Sequence, residues 1–149
     1  MKILFLGDVV GISGISKILN NLRSEIDKNN IEFVVVNGEN ADKTGVGLTE
    51  QTCKDFFNCG VNVITTGNHV WDQKEIMSYI DKEKRLLRPY NLFEPSPGKG
   101  FEIYKTSKNI NVGVLNLMGN VFMKKCEDVF ETSKKFLNDH DLRKEYDIL

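Results

Sequence analysis

Long apolar runs are missing from this 149-residue sequence. Its apolar stretches extend a few residues each, far short of the ~20 that cross a bilayer, so no membrane role is expected. The opening run, residues 1–6, is followed by Asp8 and by no small-residue cleavage site. It therefore reads as a buried first strand rather than a secretion signal, and a cytoplasmic protein is expected. Charge of one sign is missing too: 20 Lys and Arg face 21 Asp and Glu, a net charge of −1. Without a basic excess, no surface for DNA or an anionic membrane is indicated. Cys53, Cys59 and Cys126 are odd in number and match no zinc spacing, so they read as reduced thiols. The three prolines, Pro89, Pro95 and Pro97, fall in one stretch with Gly98 and Gly100 that reads as loops and turns.

What is present is an alternation of strand-like and helix-like segments. Residues 2–6 read as a strand, and 12–28 as a helix with Ile15, Ile18, Leu19, Leu22 and Ile26 on one face. Residues 31–36 form a second strand, continuously apolar near its end, as suits a strand covered on both faces. Thr49 is a plausible N-cap for a helix to about residue 58, and Gly60 a plausible stop. A third strand over 61–66 and a helix over 73–81 follow, with Ile76, Met77 and Ile80 expected to face inward. Residues 101–106 and 111–117, joined by a polar turn at 107–109, read as a hairpin. A charged helix is expected over 127–138, with Val129, Phe130, Phe136 and Leu137 on one face. Residues 146–149 look like the beginning of another strand. The order βαβαβα implies a parallel sheet. No repeat, low-complexity tract or linker divides the chain, so residues 1–149 read as one domain, and a partial one.

Three polar clusters stand where the first three strands end: Gly7-Asp8, Asn37-Gly38-Glu39-Asn40 and Gly67-Asn68-His69. In an open α/β sheet, ligands bind at the carboxyl ends of the strands. A carboxylate such as Asp8 can ligate a hard or borderline cation there; the alternative is an N-cap for the following helix. Gly7, Gly11 and Gly14 suggest a nucleotide loop, but their spacing is not GxGxxG. Glu39 and Asn40 put a carboxylate and an amide on one rim, and a bridging carboxylate can hold two cations about 3.5–4 Å apart. Taken alone, that cluster is as compatible with a solvated loop. Asn68 could give its carbonyl oxygen to a metal, and His69 could protonate a leaving oxygen near neutral pH. His140, the other histidine, lies in a charged stretch and is not read as a ligand.

Together the clusters resemble the calcineurin-like metallophosphoesterase superfamily, and more closely its YmdB branch. The resemblance rests on Leu6-Gly7-Asp8-Val9-Val10-Gly11, Val36-Asn37-Gly38-Glu39-Asn40-Ala41, Gly47-Leu48-Thr49 and Thr66-Gly67-Asn68-His69-Val70-Trp71-Asp72, with support from Leu87-Arg88-Pro89, Pro97-Gly98-Lys99-Gly100 and Asn116-Leu117-Met118-Gly119. It implies a metallophosphoesterase-like α/β/β/α sandwich, here truncated, with two divalent ions (Fe or Mn, with Mg as a further option). By the same resemblance Asp8 ligates one ion, Glu39 bridges or sits between both, Asn68 ligates the second, Asn40 lies beside the pair, and His69 is the phosphate-facing acid. The implied activity is hydrolysis of phosphodiesters, including 2′,3′-cyclic nucleotides, by metal-activated water.

The family pattern continues beyond this length with further histidine ligands that are absent here. Low activity of the chain by itself is therefore expected, with a homo-oligomer or a complementing C-terminal fragment as candidate partners. Two other readings stay open: a non-catalytic protein that holds a nucleotide or partner on the same rim, and an inactive fragment of a split gene.

Overall fold

The computed structural model describes residues 1–93, 95–123 and 126–149. Strand β1 (Ile3–Leu6) leads into helix α1 (Gly11–Asn29), then β2 (Phe33–Asn37), α2 (Glu50–Cys59), β3 (Val63–Thr65), the single turn α3 (Ile76–Tyr79) and β4 (Leu86–Leu87). A hairpin of β5 (Phe101–Lys105) and β6 (Asn111–Leu115) and a last helix α4 (Val129–Asp139) follow. The first four strands form a parallel sheet in the order β1-β2-β3-β4, and the hairpin is a separate antiparallel sheet. The register sets Leu6 beside Val36, Val36 beside Ile64 and Thr65 beside Leu87, so the strand ends lie on one rim.

Side chains alternate across a strand, and β2 places them in two cores. Val34 and Val36 meet Ile18 and Leu22 of α1 and Cys53 and Phe56 of α2. Phe33 and Val35 point the other way, with Val63 and Leu87, onto Val112, Tyr104 and Val114 of the hairpin. Phe101, on the far side of the hairpin, packs edge-on against Phe136 of α4 at 4.7 Å. The layers are thus helices, parallel sheet, hairpin and helix, the expected α/β/β/α sandwich.

The expected caps of α2 are present. Thr49 accepts from the Thr52 backbone N–H at 3.1 Å, and Gly60 takes φ 112°, a left-handed conformation that suits glycine. The hairpin has the expected partners, from Phe101 opposite Leu115 to Lys105 opposite Asn111. Ile148 forms one parallel bridge to Val112, so the strand expected over 146–149 is begun on β6. Cys53 and Cys126 are buried, Cys59 is partly buried, and all three are free thiols.

Four expectations need correction. The helix expected over 73–81 is regular only at Ile76–Tyr79. Ile76 and Ile80, one turn apart, are buried, while Met77, about 100° around the axis, is exposed. In α4 the inward face is Val129, Thr132, Ser133 and Phe136, so Phe130 and Leu137 are exposed. The third strand is shorter than 61–66, and β4, only two residues long, was not expected.

Candidate functional site

The site is built on backbone. At the rim Val9 N–H donates to Asn37 O at 3.0 Å, Gly11 N–H to Asn40 O at 3.0 Å and Gly38 N–H to Thr65 O at 2.9 Å. Val10 and Asn40 form a parallel bridge past the ends of β1 and β2. The loops bearing Asp8, Glu39 and Asn40 therefore continue the ladder of the sheet.

Asp8 and Asn40 meet directly. The Asn40 amide donates to both Asp8 carboxylate oxygens, at 3.2 and 3.0 Å. Asp8 is exposed, and an ionised carboxylate has about four acceptor positions, so room is left for another electrophile. Asp8 does not cap α1: the residue at the N-cap is Val10, and no side chain there accepts a hydrogen bond.

Glu39 and His69 also meet. The His69 backbone N–H donates to Glu39 Oε1 over a long 3.4 Å. The Glu39 carboxylate lies against Gly67, where a Cβ would come within 2.5 Å of Oε1 and nearer still to the other two carboxylate atoms. Gly67 is thus the residue that lets a carboxylate from the end of β2 lie across the end of β3. Beside it, Asn68 is half-buried and lines a cavity of about 240 Å³ with Trp71, Leu92 and Met118.

His69 Nδ1 lies 2.6 Å from Asp72 Oδ2. An ionised carboxylate only accepts, so Nδ1 carries the proton and Nε2 is the nitrogen left for chemistry. Asp72 was not anticipated as a partner, although it stands three residues after His69. The loop over 41–47 braces this region: Gln73 donates to Val46 O at 3.0 Å, and a Cβ on Gly47 would press on Asp72 and Gln73. Asn116 was also overlooked in this role. It is buried and donates to Thr66 O at 2.8 Å and Leu87 O at 3.1 Å, tying the hairpin to the end of β3.

His140 is placed elsewhere. Its ring stacks on Phe136 at 4.3 Å, and Nδ1 lies 3.0 Å from Glu145.

The donors at the rim fit a divalent cation in part. Asp8, Glu39 and the amide of Asn68 are oxygen donors, the type that hard and borderline cations accept. Among the described residues, no three His, Cys, Asp or Glu gather into a group that could hold a metal. The oxygen-bearing side chains of Asp8, Glu39 and Asn68 follow successive strand ends, and the His69 imidazole beside them is oriented by Asp72.

A parallel sheet backed by a second sheet is an architecture that this chain shares with a solved phosphatase. The chain belongs to the YmdB-like protein family, whose model matches residues 4–149. It is 40% identical over 130 residues to a 2′,3′-cyclic-nucleotide 2′-phosphodiesterase of Bacillus subtilis, a match covering 87% of this chain and 48% of that protein. Two solved structures superpose with a TM-score of 0.85 each and cover 95% of this chain. One is a hypothetical protein from Thermus thermophilus, 29% identical and 54% covered. The other is a novel phosphatase of Mycoplasma pneumoniae, 33% identical and 52% covered. The chain spans about half the length of these relatives.

Proposed function

We propose that this chain supplies the metal- and phosphate-facing rim of a phosphodiesterase that acts on 2′,3′-cyclic nucleotides. The observation that carries the reading is the pairing of Glu39 with His69 across the open face of Gly67. It sets an acid from the end of β2 against the backbone of the loop after β3, whose His69 ring is oriented by Asp72. Asp8, Glu39 and Asn68 would hold divalent metal, which when bound lowers the pKa of a coordinated water and so provides a nucleophile at neutral pH.

The roles of the chain's own groups follow from their contacts. Asn40 fixes the Asp8 carboxylate by donating to both of its oxygens. Asp72 holds the proton on His69 Nδ1, so protonated His69 presents an Nε2–H that can be given to a leaving ribose oxygen. Gly67 leaves room for the Glu39 carboxylate at the end of β3. Three oxygen donors leave most coordination positions of a divalent ion unfilled, and Fe²⁺ is better served by sets that contain imidazole. The chain by itself is therefore expected to bind metal weakly and turn over slowly.

Mn²⁺ titration of the 149-residue chain, with release of nucleoside monophosphate from a 2′,3′-cyclic nucleotide, tests the reading. Asp8→Ala and Glu39→Ala should abolish metal-dependent hydrolysis, and His69→Ala should slow turnover more than it weakens metal binding. Rates unchanged in all three variants would overturn the assignment.

A further inference from the structure

Past the end of β3 the chain from Gly67 to Asp72 makes two successive turns. Val70 N–H donates to Gly67 O at 3.2 Å, and Asp72 N–H donates to His69 O at 3.1 Å. The turns hold Trp71, the one tryptophan of the sequence, close behind Asn68 and His69. Trp71 is half-buried and packs against the helix-side core. It also lines the cavity of about 240 Å³ that Asn68 and Asp72 border. Leu92, Phe93 and Met118 supply the apolar wall of that cavity. Asn91, which is fully buried, holds this wall in place. Its side chain accepts from Met118 N–H at 2.9 Å and donates to Met118 O at 2.7 Å. The segment bearing Leu92 and Phe93 is thereby tied to the loop that follows β6.

Two aromatic side chains thus share one small cavity. Phe93 is 54% exposed. Among the described residues neither its ring nor that of Trp71 meets another aromatic ring. Such a pair suits a flat aromatic ligand. Every nucleobase has a π-face, and stacking on protein aromatics accepts any of the bases. Size points the same way. Pockets that enclose a whole drug-sized ligand run to ~300–1,000 Å³. This smaller cavity has room for one ring system, with sugar and phosphate left outside it. Asn68 borders the cavity and adjoins His69, so those outer groups would lie over the rim.

We propose that this cavity is the subsite for the base of a nucleotide, with Trp71 and Phe93 as its stacking residues. The base lies on Trp71 against the wall of Leu92 and Met118, and Phe93 screens it from water. Asn91 is a positioning residue that acts through this wall. The choice of a nucleotide rests on the hydrolysis proposed above, but capture of the base needs neither metal nor turnover. A phosphodiester without a base would accordingly be a poorer substrate through KM rather than kcat.

The test titrates adenosine into the metal-free 149-residue chain and reads the fluorescence of Trp71, with ribose as the control. Adenosine should quench the emission saturably, and ribose should leave it unchanged. Phe93→Ala should move the adenosine midpoint to concentrations at least about tenfold higher, and Phe93→Tyr should restore it. Phe93 is exposed, so both variants should keep the circular dichroism of the parent. No saturable quenching, equal quenching by ribose, or a midpoint unchanged in Phe93→Ala would overturn the proposal. Adenosine binding by a chain that hydrolyses no cyclic nucleotide would overturn the hydrolysis reading and leave the subsite standing. Hydrolysis of 2′,3′-cyclic adenosine monophosphate without adenosine binding would do the reverse.

Discussion

Gly67→Ala isolates the contribution of one empty position to the rim. The backbone at Gly67 lies outside the left-handed region, so alanine adds no φ strain. Its Cβ would stand 2.5 Å from Glu39 Oε1, where ordinary contact begins near 3.4 Å. The carboxylate must withdraw by about 1 Å to restore van der Waals separation. Because the displaced atoms are the end of a half-buried side chain, that shift should cost little stability. The long bond from His69 N–H accounts for no more than about 1 kcal/mol. Metal binding should suffer far more, since loss of a group that orients a ligand typically reduces affinity 10–100-fold, roughly 1.4–2.8 kcal/mol. Mn²⁺-induced broadening of backbone amide resonances detects even weak sites. In the parent, broadening should centre on residues 8, 39 and 67–69. In Gly67→Ala the midpoint should move to Mn²⁺ concentrations at least about tenfold higher, with the melting temperature lowered by only a few degrees. An unchanged midpoint at unchanged stability would show that Glu39 is not a ligand, and the rim would lose its central residue.

Three further outcomes are expected. Asp72→Asn should erode the Nδ1–H tautomer of His69, seen in the ¹⁵N shifts of the ring, and lower kcat more than it raises KM; ring shifts identical to the parent's would remove Asp72 from its role. Glu83 is held below its ordinary value of 4.5 chiefly by the hydrogen bond from Arg85, against the opposing effect of burial. Its stabilising effect is complete above that ordinary value and is lost as pH falls through the lowered folded value. Glu83→Gln should therefore flatten the acid side of the stability curve, by less than about 1 kcal/mol because Arg85 is partly exposed; an acid limb identical to the parent's would refute this. Cys53 is fully buried, and burial pushes its thiol pKa well up, so an aromatic disulfide reagent should label it only after unfolding. Labelling of Cys53 in the native chain would contradict that packing.

Much of this arrangement was legible in the sequence because it depends on period and punctuation. The βαβ alternation, the Thr49 and Gly60 caps and the hairpin are local signals, and each strand end bore its polar cluster within a few residues. The errors have equally local causes. In α4 the inward face runs through Thr132 and Ser133, two polar residues that hid it, while the apolar Phe130 and Leu137 suggested a different one. β4 is two leucines after a charged stretch, too short to show alternation. At the candidate site, Asp8, Glu39, Asn40, Asn68 and His69 were proposed on residue type and position alone. Their pairings, Asp8 with Asn40 and Glu39 with the His69 backbone, depend on strand register. The supports Gly67 and Asn116 could not be ranked either: one acts through a side chain it lacks, and the other reaches across 50 residues of sequence to Thr66.

The rim is laced to the sheet by main-chain bonds from Val9 to Asn37, Gly11 to Asn40 and Gly38 to Thr65. These loops consequently share the fate of the strands that bear them. A flap could melt and reclose while the core stood; this rim cannot open without unzipping the ends of β1, β2 and β3. Partial denaturation or limited proteolysis that spares the parallel sheet should leave Asp8 and Glu39 in place. Their failure under stress should be all-or-none, coincident with loss of the fold.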